Sequence, residues 1–439
     1  MSGKTLRPAV LIITMIVALM VFGCRVSDPT RPPVPTSPLA PETLIDEGMP
    51  DRLPFLRLLQ DGKYDELDSR LSSIEDAFEH DFRKEGLVRR AFGAFETTDP
   101  ALEPLLTAWV SHRLDSPWAL MGRGLYFHTI GWNRRGALTT DETPEKNFAE
   151  MAIYHERSRR DVEKALLLRG RFTLARTILL AIAKGHGGSE EIEKQGRLAL
   201  ESCPECFYVR IMWMNAVAPR WGGSFSEMMR IATAAGPYLE RNSRLRLLPG
   251  FIYYEQGYML ESKGRNAEAI PYFDRAIAFG DWYDFLSERA NCFCCQKRFD
   301  RALADYDRAL RTRPWNEDLR AERAKVRHSL GDFDGANNDM LTAYESWPYL
   351  GAASQWSRML AQDSARLAEE GRLDEARKTL ALAERMPPDD GLFYAKACLR
   401  AAEGRNTEAA SLLEEYVDRH PDDEEAQERL RRYSRRPGH

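Results

Sequence analysis

The sequence has 439 residues, with 62 basic and 67 acidic side chains, a formal net charge of −5 and a pI near 6.0. A chain of this length can form two or three domains. No basic block stands out from the near-neutral balance, so the composition argues against a nucleic-acid-binding surface.

The chain begins with a short basic stretch and an apolar run that ends at Cys24. Lys4 and Arg7 precede the apolar residues 9–22. That run is shorter than the ~20 residues that a membrane-spanning helix needs, and its length is typical of a signal peptide. The closing Val-Phe-Gly-Cys resembles a bacterial lipobox. The resemblance implies that residues 1–23 are removed and that Cys24 carries lipid on its thiol and its amine. An uncleaved N-terminal membrane anchor is the alternative.

Residues 24–50 form the next segment, which is rich in proline and has few large apolar residues and no hydrophobic period. This composition predicts a semi-rigid, extended tether between the lipid and the folded part. Arg25 stands where an aspartate would resemble an inner-membrane retention signal. We therefore expect a lipid anchor in the outer membrane, with the protein facing the periplasm.

Residues 51–248 show apolar side chains at helical spacing and no long β-branched runs, which predicts a helical domain with degenerate repeats. Segments such as DGKYDELDSRL, which begins at Asp61, resemble a bacterial helical domain family of unknown function found beside repeat arrays. The resemblance covers roughly residues 54–235, and it implies a fold without an activity.

Two stretches of this half depart from a regular helical pattern. The first, GWNRRGALTTDETP, reads as a long loop that places Trp132 beside Arg134 and Arg135. The second, PRWGGSFSEM, fixes Trp221 at a tight turn. A planar guanidinium beside an indole suits an anionic or sugar-like ligand. The alternatives are an ordinary surface loop at Trp132 and a tryptophan that fills a helix junction at Trp221.

Residues 250–421 contain a repeat with a period near 34 residues, in which a small residue is followed four positions later by a bulky one. Successive small residues are spaced by 33, 34, 40 and 33 positions; they are Ala269, Ala302, Ala336, Ala376 and Ala409. The pattern resembles the tetratricopeptide repeat, of which about five copies fit. The resemblance implies an all-α, right-handed solenoid of helix pairs with a concave groove. Residues 422–439 would form a capping helix and a tail.

The same resemblance implies which side chains line the groove, because they come from the first helix of each pair. The residues at these positions are Tyr254 and Tyr258, Asn291 and Cys294, Lys325 and His328, and Ala361 and Ala365. Only Asn291 and Lys325 would fit a clamp for a peptide carboxylate, so we do not predict one. These residues either contact a helix or an unstructured peptide of an envelope protein, or simply cover the inner face.

The cysteines leave three interpretations open at Cys203 and Cys206, in the sequence ESCPECF. They are a local structural disulfide, a pair of free buried thiols, and a thioredoxin-like redox site, which would need a preceding β-strand. A zinc site would need a second cysteine pair. The remaining thiols read as small core residues: Cys292, Cys294, Cys295 and Cys398.

No nucleophile, phosphate-binding or metal-ligand motif is found, and we predict no enzyme, cofactor or metal. The sequence predicts a membrane-anchored, non-catalytic scaffold for protein–protein interaction in the bacterial cell envelope. In layout it resembles repeat lipoproteins that hold envelope-building machinery. The alternative is a helical domain, either a binding module or a cryptic enzyme, that binds a small ligand or glycan through Trp132, Arg134, Arg135 and Trp221.

Overall fold

The computed structural model describes residues 28–46, 48–138, 142–186 and 188–434. Within these ranges the chain forms 21 α-helices and no β-strand, and the helices pack in adjacent pairs, as in a tetratricopeptide solenoid. The predicted all-α fold class is confirmed. The helices of the N-terminal half are α1 Leu53–Gln60, α2 Tyr64–His80, α3 Glu85–Phe92, α4 Leu102–His112, α5 Pro117–Arg135, α6 Glu145–Leu168, α7 Thr173–Gly185, α8 Ser189–Ser202, α9 Phe207–Ala216 and α10 Phe225–Thr233. Those of the C-terminal half are α11 Gly250–Glu261, α12 Asn266–Ile277, α13 Tyr283–Cys295, α14 Phe299–Thr312, α15 Glu317–Ser329, α16 Phe333–Ser346, α17 Gly351–Glu369, α18 Leu373–Ala383, α19 Gly391–Ala402, α20 Asn406–Arg419 and α21 Glu424–Ser434.

Helices α11 to α20 form five consecutive pairs, and α21 packs on α20. The five repeat alanines lie on the second helices of these pairs, and each is 0% exposed. A small side chain at this point lets the two helices of a pair approach closely, while the bulky residue four positions later fills the space beside it. The longer spacing before Ala376 is taken up by α17, which has 19 residues.

In the N-terminal half, α5 and α6 form the most extensive helix pair. Two glycines of α5 allow the close approach. A Cβ on Gly124 would lie 2.8 Å from Val162 Cγ2, and one on Gly131 would lie 2.4 Å from His155 Cδ2. Ser116 caps the N-terminus of α5: its hydroxyl accepts a hydrogen bond of 3.0 Å from the Ala119 amide.

The two halves meet at the buried carboxylate of Glu317, which is 4% exposed at the start of α15. Arg90 of α3 forms a bidentate pair with it, and Arg52 lies 3.1 Å from it. The Arg52 guanidinium also stacks 3.6 Å from the ring centroid of Trp347. Charged and aromatic side chains from both halves are therefore buried together at this junction.

The described residues 28–46, here called the strap, differ from the predicted semi-rigid, extended tether, because they pack on the helical body. The Tyr253 hydroxyl donates to the Pro32 carbonyl at 2.6 Å, and the Gln256 amide donates to the Thr30 carbonyl at 2.5 Å. Farther along, the Leu39 amide donates to the Phe279 carbonyl at 2.9 Å. An extended, proline-rich segment leaves most of its backbone carbonyls without internal partners, so they are available to such donors.

The end of the strap is held by a buried ion cluster. Asp46 is 7% exposed and pairs with Arg313 at 2.9 Å and with Arg244. Arg244 also donates to two strap carbonyls, and Arg313 donates to the Leu44 carbonyl at 2.8 Å. Leu44 itself is 0% exposed, so the strap is part of the core at this point.

Candidate functional site

The first helices of the first three repeat pairs, α11, α13 and α15, each carry a row of residues three or four positions apart. Residues at this spacing share one helix face. Four of the predicted groove residues, Tyr254, Tyr258, Asn291 and Lys325, lie on these rows, which we call the inner stripe. Its members are Tyr254, Tyr258 and Glu261 on α11, Asp284, Glu288 and Asn291 on α13, and Asp318, Glu322 and Lys325 on α15. The prediction for the fourth pair is wrong, because Ala361 and Ala365 are buried in the core.

The structure brings the four predicted groove residues of the inner stripe into one partly exposed surface. The rings of Tyr254 and Tyr258 stack with centroids 6.2 Å apart. Burial raises the pKa of Tyr254 well above its usual value, and the charges of Asp284 and Glu288 raise it further, so the rows on α11 and α13 adjoin. Whether this surface binds a partner stays a prediction.

Asn291 and Lys325 are both held by neighbouring side chains. The Asn291 amide nitrogen donates to Glu288 at 3.0 Å, and its oxygen accepts from the Tyr306 hydroxyl at 2.6 Å. Lys325 pairs with Glu322 at 2.6 Å. These bonds position the two side chains at the surface without using all of their hydrogen-bonding capacity.

Carboxylates dominate the inner stripe. Four of its five acidic side chains form no ion pair with a described lysine or arginine; the fifth is Glu322. Burial raises the pKa of Glu288 to about 7, and the like charges of Glu261 and Asp284 add to the effect. Burial also raises the pKa of Asp284 to about 6, although a hydrogen bond from the Trp282 indole opposes this rise. Arg220 lies 4.2 Å from the Tyr258 ring centroid, and its charge opposes the rise in the pKa of Glu288. The charges of Arg313 and Arg89 oppose the rise at Asp284. The stripe is thus an acidic surface whose neighbouring arginines form no ion pair with Glu261, Asp284, Glu288 or Asp318.

The inner stripe ends at a pocket of about 330 Å³ between the two halves of the chain. Asp284, Asp318 and Trp315 line it from the repeat side. From the other side comes Arg89 of α3, whose guanidinium lies 5.4 Å from the Tyr208 ring centroid and pairs with no described carboxylate. The pocket is large enough to accept one bulky side chain of a partner.

Neither the acidic residues nor Arg89 were among the residues predicted from the sequence. The spacing of the acids along α13 and α15 was an available signal, because each lies three or four positions from a predicted groove residue. No local pattern could have found Arg89, since nearly two hundred residues separate it from α13.

The prediction of a loop at Trp132, Arg134 and Arg135 is wrong, because these residues form the last turn of α5. The glycine at position 131 is a packing residue against His155 rather than a helix breaker. The helix ends at Arg135, and the next residue, Gly136, has a φ of 80°.

Trp132 and Trp221 do meet, with ring centroids 5.7 Å apart. The ammonium of Lys184, which the sequence analysis did not identify, lies 4.8 Å from the Trp132 centroid and 4.5 Å from that of Trp221. It also donates to the Asn215 side chain at 3.1 Å. Burial lowers the pKa of Lys184 to about 8. A cation of the protein itself therefore covers both indoles.

Only one of the two arginines lies near the indoles: the Arg135 guanidinium is 5.8 Å from the Trp221 ring centroid. Arg135 is 7% exposed and donates to the Gly136 and Leu138 carbonyls at 3.1 and 2.8 Å. Arg134 is exposed and lies 3.9 Å from Glu150. These contacts favour a structural role for the cluster, and ligand binding there stays a prediction.

Three histidines extend this cluster inward. The ring of His128 accepts a hydrogen bond of 3.0 Å from the Trp132 indole and stacks on His155, with centroids 5.5 Å apart. His155 lies 3.3 Å from His186. Burial lowers the pKa of His128 to about 3 and that of His155 to about 4, so both rings are neutral at pH 7. No group of three or more potential ligands suited to a metal ion occurs among the described residues.

In the structure the sulfurs of Cys203 and Cys206 are bonded, with Cα atoms 5.3 Å apart at the turn between α8 and α9. Cys292 is a buried free thiol, and burial raises its pKa to about 12, which disfavours the reactive thiolate. Cys24 and the predicted signal peptide lie outside the described residues. In the part that is described, no helix is both long and apolar enough to span a membrane.

Residues 252–279, which span α11 and α12, match the family model of the tetratricopeptide repeat. This confirms the predicted repeat at that position, whereas the resemblance of the N-terminal half to a family of unknown function is not confirmed. A tetratricopeptide-like solenoid is typically a scaffold for protein–protein interaction, and no catalytic motif is evident in the chain.

Comparisons with solved structures show distant similarity to helical repeat proteins. YrrB, described as a TPR protein with an unusual peptide-binding site, is 23% identical over 45% of this chain and 97% of its own, with a TM-score of 0.32. PilW, a widely conserved type IV pilus biogenesis factor, is 15% identical over 64% and 92%, with a TM-score of 0.22. A monomeric mutant of IFIT1 with Gppp-AAAA is 14% identical over 90% and 94%, with a TM-score of 0.36. A comparison with curated proteins gives no match.

Proposed function

We propose that the protein is a lipid-anchored, non-catalytic scaffold of the bacterial cell envelope that binds a segment of another protein along its inner stripe. The lipobox-like sequence at Cys24 supports the anchor, and Arg25 supports the outer membrane. The repeat fold supports a partner that is a helix or an extended peptide.

The acidic character of the inner stripe is the observation that carries the proposal. Desolvating a carboxylate without a cation is unfavourable, as the raised pKa of Glu288 records. Lysine or arginine side chains of a partner would supply the missing charges, and the stripe tyrosines would pack against their aliphatic parts. The partner segment is therefore basic, and the pocket beside Asp284 accepts one of its large side chains.

Photocrosslinking in cells tests the partner site. A benzophenone amino acid at position 258 should crosslink one envelope protein through a segment rich in lysine or arginine. Glu288→Lys should abolish the crosslink, because it reverses charge at the centre of the stripe. Glu415→Lys, the same change at an exposed residue of α20, is the matched control and should leave the crosslink intact.

Binding of the identified segment should also depend on pH with a defined sign. Glu288 and Asp284 ionise in the folded protein near pH 7 and pH 6, so raising the pH from 6 to 8 increases the negative charge of the stripe. The affinity for a basic segment should therefore rise over this range. An affinity that falls, or a crosslinked segment that is acidic, would contradict the assignment.

The anchor is tested separately by fractionation. The intact protein should sediment with membranes, lack residues 1–23 and carry acyl chains on Cys24, whereas Cys24→Ser should carry no acyl chain and keep residues 1–23. If the unchanged protein is found in the soluble fraction, the lipid anchor is excluded. The proposed binding of a partner along the inner stripe is not affected by that result.

A further inference from the structure

The strap determines how far the folded body can lie from Cys24. Asp28 is the first described residue, and only four peptide units separate it from Cys24. Four residues span at most ~14 Å when fully extended. If Cys24 carries lipid, as the proposed function states, the bilayer therefore lies within this reach of the place where the strap begins.

The strap begins on one side of α11. Its backbone carbonyls accept hydrogen bonds there from Tyr253, which is 4% exposed, and from Gln256. An α-helix has 3.6 residues per turn, so each residue is rotated by ~100° from the one before it. Seen down the axis of α11, the midpoint of Tyr253 and Gln256 is therefore roughly 150° away from the midpoint of Tyr254 and Tyr258. The attachment point thus lies nearly opposite the row of α11 that belongs to the inner stripe.

Two exposed arginines flank this attachment point. Arg275 of α12 lies 5.7 Å from the ring centroids of both Tyr253 and Tyr272. Burial raises the pKa of Tyr253, and the charges of Arg275 and Arg31 oppose the rise, so both guanidiniums lie near its hydroxyl. Neither arginine forms an ion pair within 4.0 Å of a described carboxylate, although most arginines of the repeats do. The nearby carboxylate is that of Asp28, whose pKa is lowered by hydrogen bonds from Thr30 and by the charge of Arg31.

We propose that the strap orients the protein on the membrane, with the surface formed by Arg31, Tyr272 and Arg275 against anionic phospholipid headgroups and the inner stripe directed away from the bilayer. Unpaired guanidiniums match phosphate in charge and geometry, and tyrosine is suited to the headgroup region. A free tether would let the body rotate, whereas the bonds at Thr30 and Pro32 allow one side to face the lipid. The inner stripe then stays open to a partner.

Photocrosslinking to lipid tests the orientation on the full-length, acylated protein in vesicles of phosphatidylethanolamine and phosphatidylglycerol. The benzophenone amino acid is placed at position 272 or, as the matched control in the same repeat, at position 258. Both natural residues are half-buried tyrosines. We expect lipid adducts at position 272 in at least fivefold excess over position 258.

Two further variants separate the contributions of the strap and of charge. Insertion of a flexible twenty-residue Gly/Ser segment between Ser27 and Asp28 keeps the anchor but lengthens the reach, and should bring the two adduct yields close together. Arg31→Glu with Arg275→Glu should lower the yield at position 272. Circular dichroism spectra should match that of the unchanged protein.

The outcomes distinguish the orientation from the anchor. Equal adduct yields at the two positions, in protein that stays on the vesicles, overturn the orientation and leave the anchor intact. Protein that leaves the vesicles with Cys24 present overturns the anchor and the orientation with it.

Discussion

Glu75 provides a direct test of the packing of the N-terminal half. It lies on α2 with 1% of its surface exposed, and neither carboxylate oxygen accepts a hydrogen bond from a described residue. Burial raises its pKa from 4.5 to about 8; Arg169 opposes the rise, and the like charges of Glu79 and Asp76 add to it. At pH 7 the folded protein therefore holds Glu75 mainly as the neutral acid.

The sign and size of the effect on stability follow from this difference. Between pH 4.5 and pH 8 the unfolded chain has lost the proton of Glu75 while the folded chain keeps it, so stability falls as the pH rises through that range. At pH 7 the difference from 4.5 is about 2.5 pH units, which costs about 3 kcal/mol at ~1.36 kcal/mol per unit. Glu75→Gln keeps the shape and removes this cost. We expect it to raise the free energy of unfolding by about 3 kcal/mol at pH 7 and by almost nothing at pH 4.

Urea unfolding followed by circular dichroism at pH 4 and pH 7 measures both values. The control is Glu66→Gln on the same helix, where a half-exposed carboxylate pairs with Arg70 at 2.6 Å. Removing an exposed pair should change stability by less than about 1 kcal/mol at either pH. A Glu75→Gln variant that is less stable at pH 7, or that gains equally at both pH values, would refute the assignment of a buried neutral acid.

Three other changes test the strap, the aromatic cluster and the disulfide. Asp46→Ala leaves Arg313 buried without its carboxylate and should lower the free energy of unfolding in urea by about 3–5 kcal/mol. Lys184→Met should raise the melting temperature at pH 7, because it removes a buried charge. The gain in melting temperature should shrink as the pH rises from about 8 to 10.5. Over this range Lys184 has lost its proton in the folded protein but still carries it in the unfolded chain. Reduction of the bond between Cys203 and Cys206 should cost about 2 kcal/mol, since the closed loop is short, as judged from urea unfolding with and without dithiothreitol.

The repeats could be predicted from the sequence because their packing is local and periodic. Ala269 and its four equivalents recur at nearly constant spacing, and a helix pair can cross closely only where such a small residue stands. The bulky partner four positions later, Phe273 in the first repeat, is 0% exposed for the same reason. Both requirements act within one repeat, so each repeat carries its own copy of the signal.

The strap and the end of α5 could not be predicted, because their environment comes from distant parts of the chain. Proline-rich composition is the same whether a segment is free or docked, and the donors at Tyr253 and Gln256 lie more than two hundred residues from it. Gly131 reads locally as a helix end, yet it stands inside α5 because His155 leaves no room for a side chain. Only the folded neighbours distinguish these cases.

The charges of the repeats explain why the acidic stripe is invisible in the composition. Arg289 on α13 bridges Asp274 and Asp305, each at a distance of 2.6 Å. One repeat later, Arg323 makes the same kind of bridge. These arginines stand on faces turned toward the second helices, where they tie one repeat to the next. The same first helices carry their unpaired carboxylates on the inner stripe. Because the 62 basic and 67 acidic side chains of the whole chain nearly balance, the net charge of −5 does not reveal a surface that is locally anionic. Charge that is neutralised between repeats stabilises the array, and only the charge left on the inner stripe remains available to select a basic partner.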